Sequence, residues 1–178
     1  MPTGPDPSRE MTPEEAGEVD ALLLASFETG VEADLVKRLR VDGDMALELV
    51  IPCNGRIGAY AALSRMRAPV GWLCLAPLAV LPEFQAATPG PEGQPKEPRH
   101  LGSRLAAEIA AGAKDPENQD IGPVVVLGEV SFYERAGFSK ARAARLTSPY
   151  PIDYTMLAAP GGDAPALELI YPTAFGEL

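Results

Sequence analysis

The chain is most constrained where Pro123-Val124-Val125-Val126-Leu127-Gly128 is followed almost at once by Phe132-Tyr133-Glu134-Arg135-Ala136-Gly137-Phe138. The first segment is short, apolar and β-branched, and a glycine closes it, so it reads as a buried strand. The second has room for a helix of only a turn or two. Phe132, Arg135 and Ala136 fall at helical offsets, and Gly137 supplies the residue that leaves a helix through the left-handed region before Phe138 opens a new strand. This order carries Tyr133 to the carboxyl end of a buried strand, where open α/β sheets usually bind ligands. A phenol, with an ordinary pKa of roughly 10, is protonated at neutral pH and can hand a proton to a leaving group. Alone, the same string is equally a helix packed by two aromatics and stopped by glycine.

The rest of the chain alternates helical and strand patterns. Thr12-Pro13-Glu14-Glu15 opens a helix to Phe27, with Thr12 as N-cap, Pro13 in the first position and Val19, Leu22, Leu23 and Phe27 on the buried face. A short helix over about Glu32 to Arg40 follows. Asn54-Gly55 is a two-residue hairpin turn between strands at Ala46 to Pro52 and Arg56 to Arg67. The near-continuous apolar run from Gly71 to Leu81 is a strand buried on both faces, and Leu101, Leu105 and Ile109 form one stripe of a helix ending near Ala113. Further strands are expected from Phe138, around Tyr154 to Ala158, and around Leu167 to Tyr171.

Four segments resemble one family. The string from Phe132 to Phe138 is similar to the late helix motif of the GNAT superfamily of N-acetyltransferases, where the tyrosine commonly protonates the coenzyme A thiolate. Leu78-Ala79-Val80-Leu81-Pro82-Glu83-Phe84-Gln85 resembles the fourth strand and the start of the pyrophosphate loop, and Leu101-Gly102-Ser103-Arg104-Leu105 resembles that loop's end. The ending Tyr171-Pro172-Thr173-Ala174-Phe175-Gly176-Glu177-Leu178 is similar to that of a bacterial subgroup of predicted acetyltransferases. The resemblance implies one domain over residues 12–178 after a flexible arm at 1–11. It also implies an α/β (α+β) fold, with a mixed, mostly antiparallel central sheet whose splayed strands are flanked by helices.

It further implies acetyl-CoA as cosubstrate, a primary amine of a small molecule or peptide as acceptor, and no metal. Cofactor contacts are expected from Leu78, Ala79, Val80, Gln85, Leu101, Gly102, Ser103 and Arg104, with the backbone N–H groups of residues 78–80 meeting the oxyanion. The expected catalytic residues are Tyr133 as acid and Glu129, at the mouth of the late strand, as base. Residues 71–81 hold no carboxylate, so Glu129 stands in for the family's usual base, and as a bare sequence position it is equally a solvated loop residue. Two departures bear on the loop. Ala86 to Arg99 is a Pro- and Gly-rich insertion at about 86–99, read either as a surface excursion or as a lid bringing Lys96 and Arg99 to the phosphates. His100 stands where the family has a glycine. These departures keep open an alternative, a catalytically weak or inactive binding protein on the same scaffold.

Composition narrows the partners. A net charge of −10 over 178 residues disfavours nucleic acid and suits a cationic acceptor, although it also serves solubility. No run is long enough to span a membrane and the opening residues lack a signal pattern, so the cytoplasm is expected. Cys53 and Cys74 are read as reduced thiols, without a disulfide or zinc site. The terminal strands are free to pair within the chain or in a homodimer.

Overall fold

The computed structural model describes residues 5–85 and 100–177, and the insertion at 86–99 lies outside them. Six strands form one sheet in chain order: β1 (Arg9–Glu10), β2 (Met45–Cys53), β3 (Arg56–Arg65), β4 (Leu73–Val80), β5 (Val124–Leu127) and β6 (Thr155–Ala158). Every neighbouring pair is antiparallel except β4 with β5, which are parallel. The expected mixed, mostly antiparallel sheet is therefore what the chain builds.

The helices are α1 (Ala16–Ser26), α2 (Val31–Asp42), α3 (Leu101–Lys114), α4 (Val130–Ala136) and α5 (Lys140–Ala143). A 3-10 turn at Pro13–Glu15 leads into α1, where the Thr12 N–H donates to Glu15 Oε1 at 2.9 Å, half of a capping box. Asn54 and Gly55 both have positive φ, 53° and 78°, the conformation that lets a two-residue turn follow the twist of β2 and β3. Small residues on β3 let helices approach closely. A Cβ on Gly58 would lie 2.8 Å from Leu101 Cδ1 and 3.1 Å from Phe84 Cδ2, so the start of α3 sits on the strand where no side chain intervenes.

Alternate residues of the late strands face two cores. Leu73, Leu75, Val124, Val126, Met156 and Ala158 join a cluster with Leu105 and Ile109 of α3. Their neighbours Cys74, Val125 and Leu157 pack with Leu146, Leu169 and Tyr171 from the end of the chain. This period-two division is why β4 and β5 read as continuous apolar runs.

Three expectations are corrected. Residues 5–11 are not a loose arm: Arg9–Glu10 pairs with Val50 and Leu49, the Asp6 N–H donates to Pro52 C=O at 2.8 Å, and Arg9 grips Glu15 with two 2.8 Å bonds. The prolines imitate a linker, but the edge of β2 offers backbone groups that this segment satisfies. After Phe138 no strand forms. Ser139 makes one bridge to Leu157 and then caps α5, its Oγ accepting from Arg142 N at 3.1 Å. The terminal strand is likewise reduced to isolated bridges, Ile170 with Ala68 and Glu168 with Thr147.

Among the described residues no helix is long and apolar enough to cross a membrane, and no three His, Cys, Asp or Glu side chains are grouped to hold a metal. Neither cysteine is in a disulfide, and both are buried.

Candidate active site

β4 and β5 pair only briefly. Leu73, Cys74 and Leu75 match Val124, Val125 and Val126, after which residues 76–80 run on without a β5 partner. Pro77 has no N–H to offer a ladder, and the β3–β4 register also shifts between Ala61 and Leu63. The strands thus part into a notch, which opens into a cavity of about 420 Å³.

The direction of each N–H on β4 follows from its register. Leu81 N–H donates to Gly58 C=O at 2.9 Å, and Ala79 stands opposite Tyr60. Because N–H groups alternate sides along a strand, Ala79 and Leu81 turn toward β3 while Leu78 and Val80 turn into the notch. The carbonyl of Val80 faces the same way. Ser26 Oγ, at the end of α1, lies 2.9 Å from it, and Gln85 Nε2 donates to it at 3.1 Å. Gln85 therefore braces the strand end, with its amide already engaged.

The mouth is closed by α3. His100, Leu101, Gly102 and Ser103 line the cavity, and the first intrahelical bond at this end runs from Arg104 N to His100 O at 2.9 Å. The N–H groups of Leu101, Gly102 and Ser103 thus precede the helix's own ladder and carry its positive dipole end. Gly102 permits close approach, since a Cβ there would lie 3.1 Å from Val80 Cγ2. His100 has φ 48° and ψ 39°, so the residue that replaces glycine still takes the left-handed conformation. Its side chain is exposed.

The facing wall is α4. Tyr133 is half-buried, its ring edge-to-face with Phe132 at 4.9 Å and with Phe138 at 5.8 Å between centroids. Gly128 seats that ring: a Cβ there would be 2.7 Å from Tyr133 Cε2. Gly137, at φ 115°, ends the helix by donating to Glu134 and Tyr133 carbonyls, as the sequence signal implied. Desolvation, with a smaller contribution from Cys74, pushes the Tyr133 phenol up to about 12. Glu129 caps α4 without a side-chain cap bond, is exposed, and accepts from Ser131 Oγ at 2.9 Å.

Tyr133, Glu129, Leu78, Ala79, Val80, Gln85, Leu101, Gly102 and Ser103 therefore converge on one cavity. Arg104 does not. It lines a neighbouring hollow, donates to Asp6 C=O and lies 3.5 Å from Glu108, binding the N-terminal segment to α3. Sequence reading missed Ser26, because the end of α1 carries no motif and reaches β4 only through packing. It also passed over Phe84, which the resemblance spans without giving it a role.

No family model matches the chain. Its sequence is 32% identical over 144 residues to YhbS of Escherichia coli K12, an uncharacterized N-acetyltransferase, covering 78% of this chain and 77% of that protein. The crystal structure of E. coli YhbS, a GNAT family N-acetyltransferase in complex with CoA, superposes with a TM-score of 0.77 at 28% identity, over 96% of this chain and 94% of the other. A GNAT family acetyltransferase from Brucella melitensis in complex with acetyl-CoA gives 0.70 at 25% identity, over 97% and 99%. The overall fold is thus shared with two transferases crystallised with CoA or acetyl-CoA. The chain belongs to the GNAT family of N-acetyltransferases.

Proposed function

We propose that this protein transfers the acetyl group of acetyl-CoA to a primary amine, with the β4–β5 notch as the site of transfer. The supporting observation is the juxtaposition, across one cavity, of outward-facing Leu78 and Val80 N–H groups, the open N-terminus of α3 and the Tyr133 phenol. The bound CoA and acetyl-CoA of the two structural relatives agree with it.

The residues fit the cosubstrate group by group. Leu78 and Val80 N–H groups take the pantetheine amides and the oxyanion, and the Leu101, Gly102 and Ser103 N–H groups take the pyrophosphate. Gln85 and Ser26 hold the strand end, and Arg104 supports α3 rather than contacting phosphate. Glu129 withdraws one proton from the attacking ammonium, the amine nitrogen bonds to the acyl carbon, Tyr133 protonates the sulfur as the carbon–sulfur bond breaks, and the nitrogen's second proton returns to the Tyr133 phenolate. A phenol at about 12 is a weak acid for an ordinary thiolate. Loss of water on entering the cavity raises a thiolate's proton affinity in the same direction as the phenol's.

The inactive alternative has no observation in its favour, because His100 adopts the backbone conformation that the missing glycine would supply. We further propose a cytoplasmic location, where Cys53 and Cys74 stay reduced. Calorimetric titration with acetyl-CoA, coupled to a CoA-release assay over a panel of amines, tests the function. Binding in the micromolar range with amine-dependent release supports it, and no heat with no thermal stabilisation at millimolar acetyl-CoA removes it.

A further inference from the structure

A second cavity meets the notch at one corner. It is about 500 Å³, and its lining is Leu127, Gly128, Glu129, Pro151 and Tyr154. Gly128 and Glu129 line both cavities, so the two openings lie on either side of the turn that joins β5 to α4. The turn is fixed from below by Gly128 N–H donating to Tyr154 C=O at 3.0 Å.

The chemistry of this second opening is uneven. Leu127 is 41% exposed and Tyr154 57% exposed, both large apolar surfaces left in water. Among the described residues, Glu129 is the single charged side chain in the lining. Ser131 Oγ holds its Oε1 at 2.9 Å, and among the described residues no protein donor reaches Oε2. Asp153, on the same 3-10 turn as Tyr154, is exposed and outside the lining.

We infer that this opening is the acceptor subsite, and that it selects a small monocationic primary amine on an aromatic or branched apolar skeleton. The inference rests on the acetyl-transfer reading of the notch. The ammonium pairs with Glu129 at the shared corner, and the skeleton covers Leu127, Pro151 and Tyr154 and removes them from water. A polyamine would bring a second ammonium against apolar surface with no partner. A free amino acid would bring its carboxylate within range of Glu129 and be repelled.

The test uses the full chain, with phenethylamine, spermidine and glycine as acceptors and acetyl-CoA binding measured separately by calorimetry. Phenethylamine should be acetylated with a kcat/KM at least tenfold above the other two. Tyr154→Ala and Leu127→Ala should each raise the KM for phenethylamine about tenfold, the scale on which apolar pockets discriminate, while leaving acetyl-CoA affinity unchanged. Both side chains are substantially exposed, so thermal melts of these variants should match the wild type. Leu127→Glu supplies a second carboxylate and should shift preference toward spermidine. Normal acetyl-CoA binding with equal or better use of spermidine or glycine would overturn the acceptor inference and leave the acetyltransferase reading intact. Failure to bind acetyl-CoA would overturn both.

Discussion

The two walls of the notch are built on opposite plans. The β4 wall presents backbone: Leu78 and Val80 turn their N–H groups inward, and the Val80 carbonyl is braced by Ser26 and Gln85. The α4 wall presents side chains and the space to hold them, with the Tyr133 ring resting on Gly128 and boxed by Phe132 and Phe138. A backbone wall tolerates any side chain that keeps the strand extended. In the proposed reaction the side-chain wall depends on one particular atom, the phenol oxygen, and on whatever lets the ring reach its place. The two walls should therefore fail in different ways.

The largest effect is expected on the side-chain wall. Tyr133→Phe keeps the ring and deletes only the proton donor, so kcat should fall about 100-fold to 10,000-fold with little change in acetyl-CoA affinity. Single-turnover CoA release measures this, and an unchanged kcat would reduce Tyr133 to a packing residue. Gly128→Ala attacks the same wall through space. The new Cβ meets Tyr133 Cε2 at 2.7 Å, and overpacking of this kind costs about 1–3 kcal/mol, to be read as a lowered Tm together with lost turnover. Wild-type stability in that variant would mean that the ring is not seated where the comparison requires.

The backbone wall is probed by contrasting two changes at one position. Val80→Pro removes an N–H that faces the notch and costs the sheet no bond, so acetyl-CoA affinity should drop about tenfold, or about 1.4 kcal/mol. Val80→Thr keeps that N–H and should bind nearly as the wild type does. Equal losses would transfer the wall's importance from backbone to side chain.

Only the side-chain wall titrates. Burial raises the folded-state Tyr133 pKa to about 12 from its ordinary value of roughly 10, so the folded protein holds this proton more tightly than the unfolded chain. The resulting stabilisation is complete below about pH 10 and is lost as pH rises through about 12. Wild-type Tm should accordingly fall more steeply across that window than the Tm of Tyr133→Phe. The remaining slope includes the buried Tyr60 and Tyr171 phenols and the Cys74 thiol, which are also raised mainly by desolvation. Superimposable pH curves would mean that the ring is wet.

The smallest effect concerns the mouth between the walls. His100 holds a left-handed conformation at φ 48° that disfavours residues with a Cβ. Its side chain is exposed, so His100→Gly should relieve the backbone and stabilise by roughly 0.5–1 kcal/mol, net of glycine's greater unfolded entropy. Chemical denaturation checks this, and a net loss would reveal a contact of the imidazole that outweighs the strain.

Much of this arrangement was legible in the chain. The Asn54-Gly55 hairpin, the Thr12 cap, the apolar run of β4 and the glycine stop after Tyr133 are all local signals, written within a few residues of the structure they produce. Where reading failed, the local signal was outweighed. Phe138 opens onto Ser139-Lys140-Ala141-Arg142-Ala143, a helix cap followed by good helix formers, and α5 formed where a strand was expected. Near the end of the chain, Leu169 and Tyr171 are buried as an apolar strand pattern demands, but too few backbone partners lie alongside to complete a ladder.

The sequence by itself determined most of the element types before Phe138, the family motif around Tyr133 and the candidates at positions 78–80 and 101–103, because capping, periodicity and turn chemistry act between near neighbours. Only the tertiary structure decided that β4 and β5 separate after Leu75, that Leu78 and Val80 rather than Ala79 turn their N–H groups into the gap, and that Ser26 meets Val80. It also decided that Arg104 holds the N-terminal segment instead of lining the notch, and that Glu129 stands at a corner with cavities on both sides. The reason is physical. An opening between strands is a relation of register and packing among segments far apart in the chain, and no residue's own conformational preference encodes where two strands stop pairing.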